Sequence, residues 1–356
     1  MDYVVTGIYA RRMLRSLRCD RGASIIPLSW NDSVGAIASG SYVPISEEDC
    51  TRLGMLSAPT KHHPLSIIVP RDTARISRHG EIACQVVSHL PGKPFIKIGS
   101  GFCIAGPELL FIDAAATMPF PQLLLLGMEL CGTYSFRQSY PVTTRPVYQV
   151  EPVTSVQKIK DSIERFKGNR IRGMGEARRA AAFLMDGSAS PMESVLALML
   201  RLPISRGGAG LGVPKINAAV PVGERYRRFT SVRQFHPDIF FENLPLDIEY
   251  ESEEFHPEYG DWDALDAGSR DALFEKSKRD KQRMRLIQTM GIRVFQATYD
   301  DFKTDAAFDL FLEQLLMQME SLSGRSMARK REKLGGTTAV LRRSGMLKSL
   351  LGSRDA

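Results

Sequence analysis

The chain has 356 residues, enough for two domains with separate cores, and its 43% hydrophobic and 24% charged residues exclude a disordered or fibrous protein. Lys and Arg outnumber Asp and Glu by 47 to 40, and the resulting net charge of +7 favours a polyanionic partner, nucleic acid before an anionic membrane surface. Cys19, Cys50, Cys84, Cys103 and Cys131 are odd in number and lack CxxC or His/Cys spacing, which excludes a zinc framework and points to a reduced, cytoplasmic protein.

The N-terminal "MDYVVTGIYARRMLRSLRC" has no apolar stretch followed by a small-residue cleavage site, and "LLLLGMELCG" is too short to span a bilayer, so no membrane partner is expected. Residues 1–150 read as a mixed α/β domain. "LSIIVP" (65–70), "EIACQVVSHL" (81–90) and "FIKIGSGFCIAG" (95–106) carry β-branched runs, the last turning as a hairpin at Gly99, Ser100 and Gly101. Two core helices follow, "PELLFIDAAATM" and "QLLLLGMELCG", separated by Pro119 and Pro121 and closed by Gly132.

Residues 151–182 are strongly basic and read as a connecting helix, either solvated or lying against phosphates through Lys158, Lys160, Arg170 and Arg172. A second domain is expected over 183–322. Its order is helix (Ser190 to Leu202), strands in "PKINAAVPV", "RQFHPDIFF" and "PLDIEYES", a long helix (Ser269 to Met290), the strand "IRVFQATY" and an amphipathic helix from Asp300. The tail, 323–356, is basic with few apolar anchors and reads as disordered, or ordered only on binding.

In "PLDIEYES" alternation puts Asp247, Glu249 and Glu251 on one side and Ile248 and Tyr250 on the other. The acidic side either faces water or gathers round a positive charge. Asp238 arrives on the preceding strand, and the short "ENLP" turn brings it alongside; two carboxylates about 4 Å apart repel by about 4 kcal/mol at an effective dielectric near 20. Oxygen ligands of this kind suit Mg²⁺ or Mn²⁺ better than zinc. Glu193 is also explained as the third residue of a capping box opened by Ser190.

The run "HPDIFF…LDIEYESEEFH…KRDKQRMRLIQTMGIRVFQATYDDF" resembles the core of PD-(D/E)xK nucleases, in particular the very-short-patch-repair branch. The resemblance covers about residues 185–305. It implies a C-terminal restriction-endonuclease-like fold, a mixed sheet flanked by helices, beside the N-terminal α/β domain. It also implies Mg²⁺- or Mn²⁺-dependent phosphodiester hydrolysis of nucleic acid, DNA first. Asp238 and Glu249 stand where that family binds metal, with His256 after the third strand and the Arg279–Asp280 pair on the following helix. Glu193 corresponds to a glutamate often near the metal in the first helix. Glu251 occupies the place of the usual lysine, where a carboxylate can share the metal or orient a water; the missing cation then has to come from Lys276, Lys278 or Arg283, which with Arg279 also suit phosphates. The first half, through "LSIIVPRD" and "PELLFIDAA", is similar to part of AbiEi-type antitoxin and regulator proteins. That likeness implies a defence or toxin–antitoxin setting with a cognate partner protein from the same operon, and a non-catalytic DNA-binding regulator as the alternative function.

Overall fold

A computed structural model describes residues 3–20, 24–34, 59–62, 64–70, 81–87, 89–99, 102–139, 143–169, 171–251 and 267–352. The chain is mixed α/β and divides into two compact units, Met1–Asp186 and Gly187–Ala356.

In the first unit a six-stranded mixed sheet has the order β2-β5-β6-β1-β3-β4, with β1 at Tyr3–Val5, β2 at Ile26–Leu28, β3 at Leu65–Val69, β4 at Ile82–Val86, β5 at Phe95–Gly99 and β6 at Phe102–Ala105. The β5–β6 hairpin is antiparallel, whereas β1 runs parallel to β6 and β3 parallel to β4. Helices α1 (Gly7–Cys19), α2 (Trp30–Val34), α3 (Pro107–Ala114) and α4 (Phe120–Cys131) and the antiparallel ribbon β7 (Tyr134–Ser139) and β8 (Thr143–Tyr148) complete this part. Among the described residues of this unit one carboxylate, Glu129, is buried. Burial alone would raise the Glu129 pKa, but Arg15, bonded at 2.9 and 2.6 Å, together with the Phe136 N–H and the nearby Arg18, holds it below the ordinary range.

The basic segment expected as a connector is instead part of this unit. Helices α5 (Val156–Arg165) and α6 (Met174–Ala181) pack on α3 and on each other, because Val156, Ile159 and Ile163 on one and Ala177, Ala180 and Ala181 on the other form apolar stripes at helical spacing. The boundary therefore falls after Asp186 rather than at 150 or 182.

The second unit opens with α7 (Pro191–Arg201), capped by Ser190, whose hydroxyl accepts from the Glu193 N–H at 3.1 Å. A four-stranded sheet of order β14-β13-β12-β9 follows, formed by β9 (Lys215–Ile216), β12 (Ile239–Phe241), β13 (Leu246–Glu251) and β14 (Arg293–Thr298). The first three strands run as an antiparallel meander; β14 returns parallel to β13 after the long helix α8 (Ala267–Thr289). A small hairpin, β10 (Val220–Pro221) with β11 (Gln234–Phe235), sits between β9 and β12 in sequence.

The two sides of β13 part as alternation requires. Tyr250 meets the Phe302 ring at 6.3 Å and Phe295 of β14 meets Phe311 at 5.4 Å, so this face packs on α9 (Asp300–Lys303) and α10 (Asp305–Ser323). On the opposite face Phe240 joins a cluster of Val222, Phe235, Ile287 and Ile292, the last two from α8 and the turn that follows it. The acids of β13 share that face.

The tail expected to be disordered is helical as far as residue 352. Helices α11 (Ala328–Gly335) and α12 (Thr337–Leu351) bury Leu334, Ala339, Leu347 and Leu350, and α12 packs on α7 and on the 3₁₀ turn at Ile204–Arg206. That approach requires glycine at 207: its φ is +84°, and a Cβ there would stand 2.4 Å from the Arg342 carbonyl oxygen.

A candidate carboxylate site in the second unit

The pairing of Ile239 with Ile248 sets Asp238 opposite Glu249 across the β12–β13 pair, one step further along the same register. Both carboxylates therefore emerge on one face. Asp238 is held at its base, since its Oδ2 accepts from the Tyr250 N–H at 2.8 Å. Its pKa is pushed up to about 8 by burial and by the charges of Glu249 and Glu193.

Glu249 is likewise raised to about 8, by burial and by Asp247, against the opposing pull of Arg283. Arg283 of α8 donates to both oxygens of Glu249, at 2.7 and 3.3 Å, and to the His236 carbonyl at 2.8 Å. Asp247 is fully buried between its strand neighbours Phe240 and Val294, and no N–H donor reaches either of its oxygens. Its pKa rises to about 6, through burial first. Its polar neighbour is the Glu249 carboxyl, and two such groups stay together only by sharing a proton or a cation.

Glu193 approaches from α7, also with a raised pKa caused by burial. Its Oε2 accepts from the Ala189 N–H at 2.9 Å and from Asn217 Nδ2 at 2.8 Å, so the glutamate reaches back beyond its own N-cap. Asn217 is the hub of this arrangement. Its Nδ2 also donates to the Gly187 carbonyl at 3.0 Å, its N–H to the Asp238 carbonyl at 3.2 Å, and its own carbonyl meets His236 Nδ1 at 3.0 Å. With φ at 47° it occupies the left-handed region that Asn tolerates better than most residues. Gly187, at φ +88°, has no room for a Cβ, which would lie 2.9 Å from the Ile216 carbonyl oxygen.

Of the residues singled out in the sequence, Glu193, Asp238, Glu249 and Arg283 come together. Glu251 follows on the same face of β13, is half-buried, and accepts from Gln296. Lys278 and Arg279 are exposed on α8; Arg279 bonds to the Glu275 carbonyl and Lys278 faces the Glu275 carboxylate at 3.6 Å. His256, the side chain of Lys276 and Arg170 lie outside the described residues. Lys158, Lys160 and Arg172 are exposed on the first unit and belong to a different body. Sequence reasoning missed Asn217, His236 and the burial of Asp247. The only signal for Asn217 was a turn-forming residue interrupting the β-branched pattern of "PKINAAVPV".

The donors suit a hard divalent cation: they are carboxylate oxygens, held together against their mutual repulsion, with one buried acid that no N–H reaches. Among the described residues no three His, Cys, Asp or Glu side chains form a ready-made metal cage. Two carboxylates with retained waters are the usual protein share of a Mg²⁺ site. No family model, no curated protein and no solved structure matches this chain. Among the described residues no helix is long and apolar enough to cross a membrane.

The raised pKa values set a direction for stability. Asp238 and Glu249 titrate in the unfolded chain near 4 and in the fold near 8, so the folded state binds more protons between those values. Their contribution is complete below about pH 4 and is lost as pH rises through about 8. Without divalent ions the thermal midpoint of the second unit is expected to fall from about pH 5 to about pH 9. Added Mg²⁺ or Mn²⁺ should restore it increasingly as pH rises, because cation and proton compete for the same oxygens. Calorimetry with EDTA or with metal checks both; a flat profile contradicts the burial of this pair.

Proposed function

We propose that the protein is a divalent-cation-dependent nucleic-acid phosphodiester hydrolase, an endonuclease of the PD-(D/E)xK kind with Mg²⁺ or Mn²⁺ as cofactor. The observation that carries this reading is the meeting of Asp238 and Glu249 on one face of adjacent strands, with Glu193 beside them. The helix, strands, long helix and returning strand around them follow the order expected from the sequence pattern, which supports this reading.

Asp238 and Glu249 would hold the cation, with Glu193 close enough to share its charge. When bound, the cation supplies charge neutralisation and Lewis-acid polarisation of a phosphate oxygen. Tyr250 N–H fixes the Asp238 carboxylate, and Asn217 fixes Glu193, so both oxygen sets are oriented before substrate arrives. Glu251, next along the face, is the group to orient an attacking water. Arg283 stands in for the missing lysine, as a guanidinium already at the site and able to pass from Glu249 to a phosphate oxygen. The basic balance of the chain favours DNA as partner, and a defence or toxin–antitoxin setting with a cognate protein remains part of the proposal.

The experiment is cleavage of supercoiled plasmid and of single-stranded DNA and RNA by the full chain with Mg²⁺ or Mn²⁺, against the same mixtures in EDTA. Strand scission only with metal is expected. One observation favours a second reading, a DNA-binding regulator on a nuclease scaffold: Arg283 already occupies both oxygens of Glu249. Arg283→Ala separates the two. For a hydrolase, cleavage falls by about 10²–10³-fold, the scale of a lost electrostatic partner. For a scaffold, only stability changes, by about 1 kcal/mol for a partly exposed ion pair, read by urea denaturation.

A further inference from the structure

The loop of the β10–β11 hairpin, "GERYRRFTSVR" at residues 223–233, carries four arginines and one glutamate. A 3₁₀ helix, Glu224–Phe229, shapes it. The loop is anchored: the Val222 N–H donates to the Arg233 carbonyl at 2.9 Å, and Val222, Phe235 and the partly buried Tyr226 pack into the cluster made with Phe240, Ile287 and Ile292. Beyond that anchor the chemistry reverses. Phe229 is 63% exposed and Val232 47% exposed, an arrangement that costs hydration free energy with no return inside the unit. Arg228 lies over the Phe229 ring at 4.7 Å from its centroid, and Arg225 over the Tyr226 ring at 4.5 Å. Arg227 is tied to the Val222 carbonyl at 3.2 Å and to Glu224 at 3.9 Å, leaving a net positive surface around an open aromatic face.

From β11 the chain passes through His236, whose carbonyl is held by Arg283, and reaches Asp238 two residues later. The hairpin and the carboxylate site are thus built on one continuous segment packed on one helix.

We propose that this hairpin loop binds single-stranded nucleic acid, Phe229 stacking on an unpaired base while Arg225 and Arg228 contact the flanking phosphates, and that it delivers the strand to the carboxylate site. This deepens the hydrolase reading by naming the substrate class, and rests on it only for what happens to the strand afterwards. An aromatic ring open on one face takes any unpaired base, whereas a paired base in a duplex has both faces covered by its neighbours. A cationic rim supplies the salt-dependent, sequence-independent part of the attraction.

The test is fluorescence anisotropy of the full chain with a labelled mixed-sequence 20-mer, as single strand and as blunt duplex, in EDTA so that no cleavage enters. Tighter binding to the single strand is expected. Phe229→Ala should weaken that binding by about 10-fold, the scale of one lost base stack, and leave duplex binding within about 2-fold. Phe229→Trp should retain it. The Arg225→Ala/Arg228→Ala pair should flatten the logarithmic salt dependence for the single strand by about 1.4, the value for two phosphate contacts. Both sites are exposed, so unchanged far-ultraviolet circular dichroism is expected and is measured alongside. Three results overturn the proposal: single-strand affinity unaffected by Phe229→Ala, equal losses on single strand and duplex, or preference for phosphatidylserine vesicles over either oligonucleotide. If metal-dependent scission fails while these binding results hold, the hydrolase reading falls and the strand-binding loop stands.

Discussion

Asp238→Asn is expected to lower metal-dependent scission by about 10²–10³-fold while raising the thermal midpoint of the metal-free protein at pH 9. The two effects have one cause. Asp238 is half-buried and feels the charges of Glu249 and Glu193, so above its pKa of about 8 it contributes a repelled charge, whereas its Oδ2 bond to the Tyr250 N–H is one that an asparagine Oδ1 can keep. At pH 5 the wild-type carboxyl is protonated and the two proteins should melt together. Glu249→Gln gives the contrasting result. It should lose activity to a similar degree and also relieve a disfavoured charge at pH 9, but because it removes the charge partner of Arg283 its gain in thermal midpoint there should be smaller than that of Asp238→Asn. Scission that survives both substitutions would end the hydrolase reading. An Asp238→Asn protein less stable than wild type at both pH values would mean that the carboxylate is a structural acceptor rather than a site group.

The β-meander and its acidic face were legible because a strand repeats every two residues: once Ile248 and Tyr250 must be buried, Asp247, Glu249 and Glu251 are committed to the other side. The "ENLP" turn then fixes the register, and with it the meeting of Asp238 and Glu249. Alternation does not say what lies over that face, however. Asp247 could be water-exposed on a two-layer edge; it is buried, on the face where its strand neighbours Phe240 and Val294 pack with Ile287 of α8. Asn217 was invisible for a different reason. Its four hydrogen bonds join Gly187, Glu193, His236 and Asp238, residues between 19 and 30 positions away, and a left-handed backbone has no period to read. The hairpin loop was overlooked because arginines in a turn read as a solvated surface; only the exposure of Phe229 beside Arg228 distinguishes it.

Ending the chain at Gly324 is expected to abolish cooperative folding of the second unit and, with it, the carboxylate site. The basic composition of the last segment hides its apolar positions: Leu334, Ala339, Leu347 and Leu350 are widely spaced among charged residues, yet all four are buried. Burying a leucine side chain is worth about 1.5–3 kcal/mol, so the three leucines alone contribute about 5 kcal/mol or more. That is comparable with the whole stability of a domain, about 5–15 kcal/mol. Arg343 adds to the loss. It is 5% exposed, donates to the Leu334 carbonyl at 3.1 Å and pairs with Asp309 at 2.5 Å, closing α11 and α12 onto α10. Because α12 packs on α7, the helix that carries Glu193, the truncation acts on the site through its support rather than through any group that touches substrate. Calorimetry of the truncated chain should retain the transition of the first unit and lose that of the second; Leu347→Ala, at about 2–5 kcal/mol, should lower the second transition without removing it. A truncated protein that melts and cleaves as the full chain does would show that the last two helices rest on the unit without holding it together.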